Sequence, residues 1–404
     1  MAIASQTLHQ YQDAEKYIKL ALKHIDRMTE RERFRTRAYS YSLLGNYPKC
    51  IDEYSALTSR YPSDASAHNS LAICFSQLRE MKKALDEVRQ SAAIFPKRPV
   101  YRVNMSLYAS YGSDFPTGER EARALQELDP SYSTGLVALA FAQLGQGQLE
   151  QAAESYQKLS GVDASGAASG LADLALYEGR FGDAARILEQ AGNVDVERKF
   201  PDEAATKFAV LAYTRLLQGQ KAPAMAAAEK ALASSKTVKI RFLAGRILAA
   251  AGQTDRAKAL VASLASELHE EPQSYAKLIE GEIALQAGDP RQAFKLFGEG
   301  NKLLDTWVSR FDLGRADLEL GAFTEADSEF DRCIRRRGEV VALFLDESPT
   351  YGFFPLVYYY QGRVREGLKN SGFADSYREY LSIREKAGED PVLPEVRKRL
   401  ATQR

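Results

Sequence analysis

The chain has 404 residues, and its 54 lysines and arginines balance its 54 aspartates and glutamates. This balance gives no general attraction to nucleic acid or to an anionic membrane, which leaves only local patches to attract such partners. No apolar run approaches the roughly 20 residues that span a bilayer, and no basic-then-apolar secretory signal opens the chain. Cys50, Cys74 and Cys333 are too few for a disulfide framework and are expected to be small core residues.

A fixed period runs through the first third of the chain. Pro62, Pro96 and Pro130 lie 34 residues apart, and a similar stretch of sequence precedes each of them. If each unit is numbered so that its proline is position 32, large or small apolar residues recur at positions 4, 7, 8 and 11 and again at 20, 24 and 27. Each set is one face of a helix, so a unit predicts two packed helices, and a period of this length indicates stacked units.

This pattern resembles the tetratricopeptide repeat, and the register continues, with slips, almost to the end of the chain. The resemblance implies an all-α, right-handed superhelical solenoid of about 11 helix-turn-helix repeats, closed by a capping helix near residues 394–401. The predicted organisation is a regular array over 1–164 with a truncated first repeat, a continued array over 165–334, and an irregular insertion, last repeat and cap over 335–404.

Two stretches interrupt the register and are candidates for hinges or ligand lids: the Gly-, Ala- and Ser-rich residues 161–170 and the insertion 335–355. A longer polar joint is predicted over 192–201. At the other end, Tyr11, Ala14 and Ile18 read as second-helix positions, which would place Met1 inside a first helix. Because a solenoid should not begin with half a helix, we expect the chain to be cut from a longer protein.

Catalytic motifs are not found in the sequence, and the prediction is a chain with no catalytic residue, no metal and no cofactor. The four histidines, His9, His24, His68 and His269, sit on different repeats without a metal-ligand spacing. Neither a nucleophile elbow nor the set of kinase motifs occurs.

The resemblance implies a concave groove lined by first-helix positions 2, 5, 9 and 12, which would hold a protein or peptide segment. The residues at such positions chosen as the predicted groove are Arg35, Tyr39, Asn69, Ile73, Val103, Leu107, Phe141, Tyr213, Phe242, Arg246, Phe311, Arg315 and Tyr359. Aromatic side chains interleaved with Arg and Asn suit such a partner. Alternatively, several of the aromatic side chains contact the next repeat and belong to the core. Arg35 and Tyr39 do not match the clamp with which one subgroup binds chaperone C-termini.

Two arginine-rich stretches have structural explanations. The residues from Arg27 to Arg37 alternate with acids, which indicates a solvated helix face or, alternatively, an anion-binding patch. Arg335, Arg336 and Arg337 follow a predicted helix, whose negative C-terminal dipole favours cations.

A narrower resemblance covers residues 336–363, which look like the C-terminal repeat region of bacterial eukaryotic-like serine/threonine kinases. It implies a non-catalytic scaffold that is the sensory or docking region of a larger bacterial signalling protein. Two alternatives remain open. One is a small-molecule-sensing regulatory domain with the insertion from Val340 to Pro355 as its lid, and the other is a self-association module, although a monomer is expected.

Overall fold

The structure, a computed structural model, describes residues 11–401. Within these residues the fold is all-α, with 22 α-helices, three single-turn 3₁₀ helices and no strand. The α-helices are α1 (Tyr11–Lys23), α2 (Glu30–Leu43), α3 (Tyr47–Arg60), α4 (Ala65–Gln77), α5 (Met81–Ile94), α6 (Pro99–Tyr111), α7 (Phe115–Leu128), α8 (Ser133–Gly145), α9 (Leu149–Leu159), α10 (Ala164–Tyr177), α11 (Phe181–Glu197), α12 (Pro201–Leu217), α13 (Lys221–Ser234), α14 (Val238–Ala250), α15 (Thr254–Ala265), α16 (Glu270–Gln286), α17 (Pro290–Leu303), α18 (Trp307–Leu320), α19 (Phe323–Arg335), α20 (Leu356–Gly367), α21 (Phe373–Arg384) and α22 (Leu393–Ala401). The 3₁₀ helices are Ile25–Arg27, Glu339–Ala342 and Tyr351–Phe353.

Ten consecutive helix pairs, from α2 with α3 to α20 with α21, confirm the predicted solenoid. The helix α1 precedes the first pair, and α22 follows the last one at the place predicted for the cap. None of the described helices is both long and apolar enough to cross a membrane. The predicted division at residues 164 and 334 stays a prediction, and the position of Met1 lies outside the described residues.

Each turn between paired helices contains a residue in the left-handed backbone conformation, with positive φ, and in most repeats this residue is glycine. Gly45 and Gly321 have φ of 64° and 74°, which glycine adopts without steric cost. Arg79 and Ser113 occupy the same conformation, with φ of 63° and 67°. A side chain makes that conformation unfavourable by roughly 1–2 kcal/mol, so packing must hold these two turns.

Small residues set the distance between paired helices, as the repeat pattern predicted. A Cβ added to Gly314 on α18 would come within 2.8 Å of the Phe330 ring on α19, and one on Gly281 would come within 2.3 Å of Phe297. Both phenylalanines are fully buried. The aromatic residue of the second helix therefore occupies the space that the small residue of the first leaves open.

Two of the predicted irregularities are mostly helical, with only short turns between the helices. Residues 161–170 contain the first turns of α10, where Gly170 lies directly against the Tyr156 ring. The prediction of a joint over 192–201 was wrong, because α11 extends to Glu197 and three residues connect it to α12. Gly and Asn in this stretch suggested a break, but Gly192 instead gives room to Phe208.

The cysteine prediction needs one correction. Cys50 on α3 and Cys74 on α4 are buried, as expected, but they form a disulfide that joins the first two repeats. Cys333 is buried and free. The count of three cysteines did not reveal the pair, because the pairing depends on how neighbouring repeats stack.

The insertion is not a surface loop. Residues 336–355, which we call the lumenal segment, lie inside the curve of the array, against first helices from α6 to α18. The amide of Gly338 donates to Ser113 Oγ, and the Arg79 guanidinium donates to the carbonyl of Leu343. Val340, Val341 and Ala342 are fully buried. The segment is therefore part of the core.

Aromatic contacts hold the second half of the lumenal segment. Tyr351 stacks on Tyr177 of α10 with 5.0 Å between ring centroids, and Phe353 stacks on Tyr213 of α12 at 4.1 Å. Phe344 meets the edges of two rings, from α14 and α16. Offset and edge-on pairs of this kind add about 0.5–1.5 kcal/mol each beyond burial.

The arginines at the start of the segment act through specific partners rather than through the helix dipole alone. Arg336 pairs with Glu339 and with Asp305, and the Arg337 guanidinium lies over the Phe115 ring. Similarly, Arg31 and Arg35 of the N-terminal basic stretch both pair with Asp64, whose side chain is buried.

The C-terminal unit docks sideways on the middle of the array. Arg384 is fully buried, pairs with Asp390 at 3.0 Å and donates to the carbonyl of Gly352. Glu389 accepts a hydrogen bond of 2.6 Å from the amide of Gly182, at the start of α11. The array therefore closes on itself, and the lumenal segment is enclosed between its two halves.

The carboxylate of Asp173 on α10 is the polar anchor of the segment. Its oxygens accept hydrogen bonds of 2.9 Å from the amides of Tyr351 and Gly352. Burial raises the pKa of Asp173 to about 7, since the two amide hydrogen bonds offset only part of the desolvation.

Asp173 should give the folded state a measurable pH dependence. The pKa of Asp173 is higher in the folded chain than the 3.8 of a solvent-exposed aspartate, so its contribution to stability is full below about pH 4 and is lost as the pH rises through 7. We expect the Asp173→Asn variant to lack this dependence of the free energy of unfolding on pH. The difference in free energy of unfolding, variant minus parent, should rise by roughly 2 kcal/mol between pH 5 and pH 8, measured by urea unfolding. Asp375→Asn, at an exposed position, is the control, and a difference independent of pH would contradict the assignment.

The disulfide can be tested by thiol counting. In denaturant without reductant, alkylation should label one cysteine, and after reduction it should label all three. Replacing both Cys50 and Cys74 with Ser should lower the free energy of unfolding by about 3 kcal/mol, the value for a loop of this length. Reductant should then have no further effect, and three labelled thiols without reduction would refute the bond.

Candidate functional site

Two cavities in the described part of the chain border the lumenal segment. The first, which we call the aromatic cavity, has a volume of about 240 Å³ and is walled by rings from α12, α14, α18, α20 and the segment. These rings belong to Tyr213, Phe242, Trp307, Phe311, Phe353 and Tyr360. Trp307 stacks on Phe311 at 5.3 Å, and Tyr360 meets the edge of Phe311 at 5.5 Å. The wall is thus mainly apolar and held by ring contacts.

Four charged side chains form one network beside the aromatic cavity. Arg246 makes a two-point ion pair with Asp312, and Arg315 pairs with Glu282 at 2.8 Å and with Asp312 at 3.1 Å. Burial would raise the pKa of Glu282, but Arg315 and Arg246 lower it to about 2. Asp312 is fully buried behind the arginines, whereas the other three line the cavity. Two arginines and two carboxylates give the network no net formal charge.

The second cavity, the polar cleft, has a volume of about 620 Å³. Hydroxyls and charges from the first turns of α8, α10, α12 and α14 line it, together with the tip of the lumenal segment. Lys239 of α14 pairs with Asp346 of that tip at 2.6 Å and donates to Ser348. Thr134, Ser169 and Thr206 are partly exposed in the cleft.

A buried lysine stands at the edge of the polar cleft. Lys207 pairs with Asp195 at 2.6 Å and donates to Ser165 Oγ at 2.7 Å, and Ser165 donates to Asp195 at 3.0 Å. The charge of Lys207 is thus compensated by Asp195 within the protein. This trio of side chains links α10, α11 and α12.

Across residues 11–401, His, Cys, Asp and Glu side chains do not converge in a group that could hold a metal ion.

The predicted groove residues fall into three environments. Those that line the aromatic cavity are Tyr213, Phe242, Arg246, Phe311 and Arg315. Those that are buried are Tyr39, Val103, Leu107, Phe141 and Tyr359; the Tyr359 hydroxyl donates to Glu395. Arg35 pairs with Asp64, Asn69 accepts a hydrogen bond from Asn104, and Ile73 is 38% exposed.

Sequence reasoning missed most of the polar cleft, although the register marked it. Thr134, Thr206 and Lys239 stand at repeat position 2, and Ser169 stands at position 5. Their side chains are small or charged, and such residues are common on any solvated helix face, so the sequence pattern alone does not distinguish them as a site. Trp307, the one tryptophan of the chain, was also missed in the aromatic cavity.

Known proteins resemble the chain in part. Residues 35–99 match the family model described as tetratricopeptide repeat. The small glutamine-rich tetratricopeptide repeat-containing protein 2 of Saccharomyces cerevisiae is 25% identical over 89 residues, which are 22% of this chain and 26% of that protein.

Two solved structures are similar at 14% identity. A tetratricopeptide repeat protein from Parabacteroides merdae has a TM-score of 0.46, with 71% of this chain and 98% of that one covered. The APC/C hetero-tetramer Cut9-Hcn1 has a TM-score of 0.45, with 99% and 74% covered. The family match over residues 35–99 covers the first two of the ten helix pairs, and all ten pairs have the helix-turn-helix solenoid arrangement of tetratricopeptide repeats.

Proposed function

We propose that the chain is a non-catalytic scaffold that binds a segment of a partner protein on its inner face. The observation that carries this proposal is the lumenal segment itself. The inner face already holds 20 residues without long helix or strand, through main-chain hydrogen bonds to Asp173, Ser113 and Arg79. A surface whose side chains bind the main chain of one irregular segment can bind the main chain of a partner segment in the same way.

The polar cleft is the place for that partner. The aromatic residues predicted to contact a partner are buried or stacked on other rings of the chain, whereas the cleft leaves Thr134, Ser169 and Thr206 accessible. Asp202 and Glu203 are exposed on one side, and Lys239 lies on the other. Hydroxyls can bond the main chain of an extended peptide, and the charges on both sides would set its register.

The larger setting is also a proposal. The resemblance of residues 336–363 to repeat regions of bacterial signalling kinases supports a role as the sensory or docking region of such a protein. Self-association is the competing use of the same surface. Light scattering over a wide concentration range separates the two, because a mass that rises with concentration would favour self-association.

An arginine in the cleft should block the partner. Ser169→Arg places a long charged side chain across the cleft from α10, and we expect at least tenfold weaker capture of the partner. The measurement is quantitative pull-down from extract of the source organism, comparing proteins retained by the parent and by the variant.

Ser328→Arg is the matched control, because Ser328 is exposed in the middle of α19 and lines neither cavity. This variant should retain the partner at the parental level. Circular dichroism must show that both variants fold. Equal retention by both folded variants would refute the cleft as the binding site.

A further inference from the structure

The arginines of the aromatic cavity have hydrogen-bond donors that the protein leaves unused. Arg246 donates through Nη1 and Nη2, one hydrogen bond each, both to Asp312. Arg315 donates through Nη1 to Glu282 and Asp312 and through Nη2 to Glu282. A guanidinium also donates from Nε and carries two hydrogens on each terminal nitrogen. Among residues 11–401, both Nε groups and some Nη hydrogens of these two arginines have no hydrogen-bond acceptor.

The two carboxylates beside the cavity are already engaged. Both oxygens of Glu282 accept hydrogen bonds, from Arg315 and from the amide of Gln286. Asp312 accepts hydrogen bonds from both arginines and is fully buried. The two arginines can therefore donate further hydrogen bonds to a ligand with an acceptor oxygen.

The zero net charge of the ionic network favours a neutral ligand. The ionic network sums to zero, so a carboxylate would leave a net negative charge in a partly desolvated site. The last residues of three helices, Leu217 of α12, Ala250 of α14 and Gln286 of α16, also line the cavity. Helix C-termini carry partial negative charge and disfavour anions. A cation would instead face the two guanidiniums.

Size and access limit the ligand further. A volume of about 240 Å³ corresponds to about eight waters at about 30 Å³ each. It lies just below the roughly 300–1,000 Å³ of sites for drug-sized molecules. Gln286 is exposed at the rim, so the cavity reaches solvent. The space fits one ring or a branched chain with a short polar end.

We propose that the aromatic cavity is a binding site for a small neutral molecule with an apolar body and a carbonyl or carboxamide oxygen, which Arg246 and Arg315 bind. The lumenal segment supplies Leu343 and Phe353 to its wall. This site is separate from the polar cleft, and it does not depend on the scaffold function.

Three probes with the same phenyl body test the proposal on the full chain. They are 3-phenylpropanamide, 3-phenylpropanoate and 3-phenylpropylamine, whose polar ends are neutral, anionic and cationic. Trp307 reports occupancy, because it is the one tryptophan and lies in the wall. We expect the amide to change its fluorescence saturably, with a Kd on the order of 1 mM, and the other two probes to bind at least fivefold more weakly.

Filling the cavity provides the second arm of the test. Ala250→Phe places a ring in the cavity and should abolish the amide response, whereas Ala259→Phe, at an exposed position on α15, should not. Absence of any response to the amide, equal or tighter binding of the acid or amine, or an unchanged response in Ala250→Phe would each overturn the proposal. If Ala250→Phe does not fold, the ranking of the three probes on the parent chain decides alone.

Discussion

A curved array of helix pairs has to cover the apolar inner face of its first helices, and here the chain does so with its own residues 336–355. Val340 to Leu343 fill the space against α6 and α8, and the rings of Phe344, Tyr351 and Phe353 extend this core across the later repeats. Because the segment touches both halves of the array, it makes one cooperative unit of repeats that would otherwise contact only their neighbours.

The buried charges follow from this closure. Arg384 reaches the segment and is balanced by Asp390, and the arginines of the aromatic cavity are balanced by Glu282 and Asp312. Asp173 is different, because only amide hydrogens compensate its charge. Burial without a counter-ion raises its pKa to about 7. The pKa of Asp173 therefore lies near neutral pH, as does that of Glu347 at the tip of the segment, which burial also raises to about 7.

The lumenal segment borders two cavities whose lining residues differ in polarity. On one side, helix C-termini and aromatic rings enclose a small cavity whose polar atoms are mostly donors. On the other side, the first turns of α8, α10, α12 and α14 present hydroxyls and charges of both signs in a wider cleft. A small neutral molecule suits the first space, and an extended polypeptide suits the second. One scaffold can thus hold two ligands of different classes without competition for the same atoms.

Sequence alone determined the repeat, the helix pairs and the cap at α22, because these depend on residues three or four apart. It marked Tyr213, Phe242, Arg246, Phe311 and Arg315 as inward-facing, and they meet in one cavity. Only tertiary structure decided that α11 continues to Glu197, that Cys50 meets Cys74, and that residues 336–355 enter the lumen. Those outcomes depend on contacts between residues up to 264 positions apart, for which local periodicity carries no information.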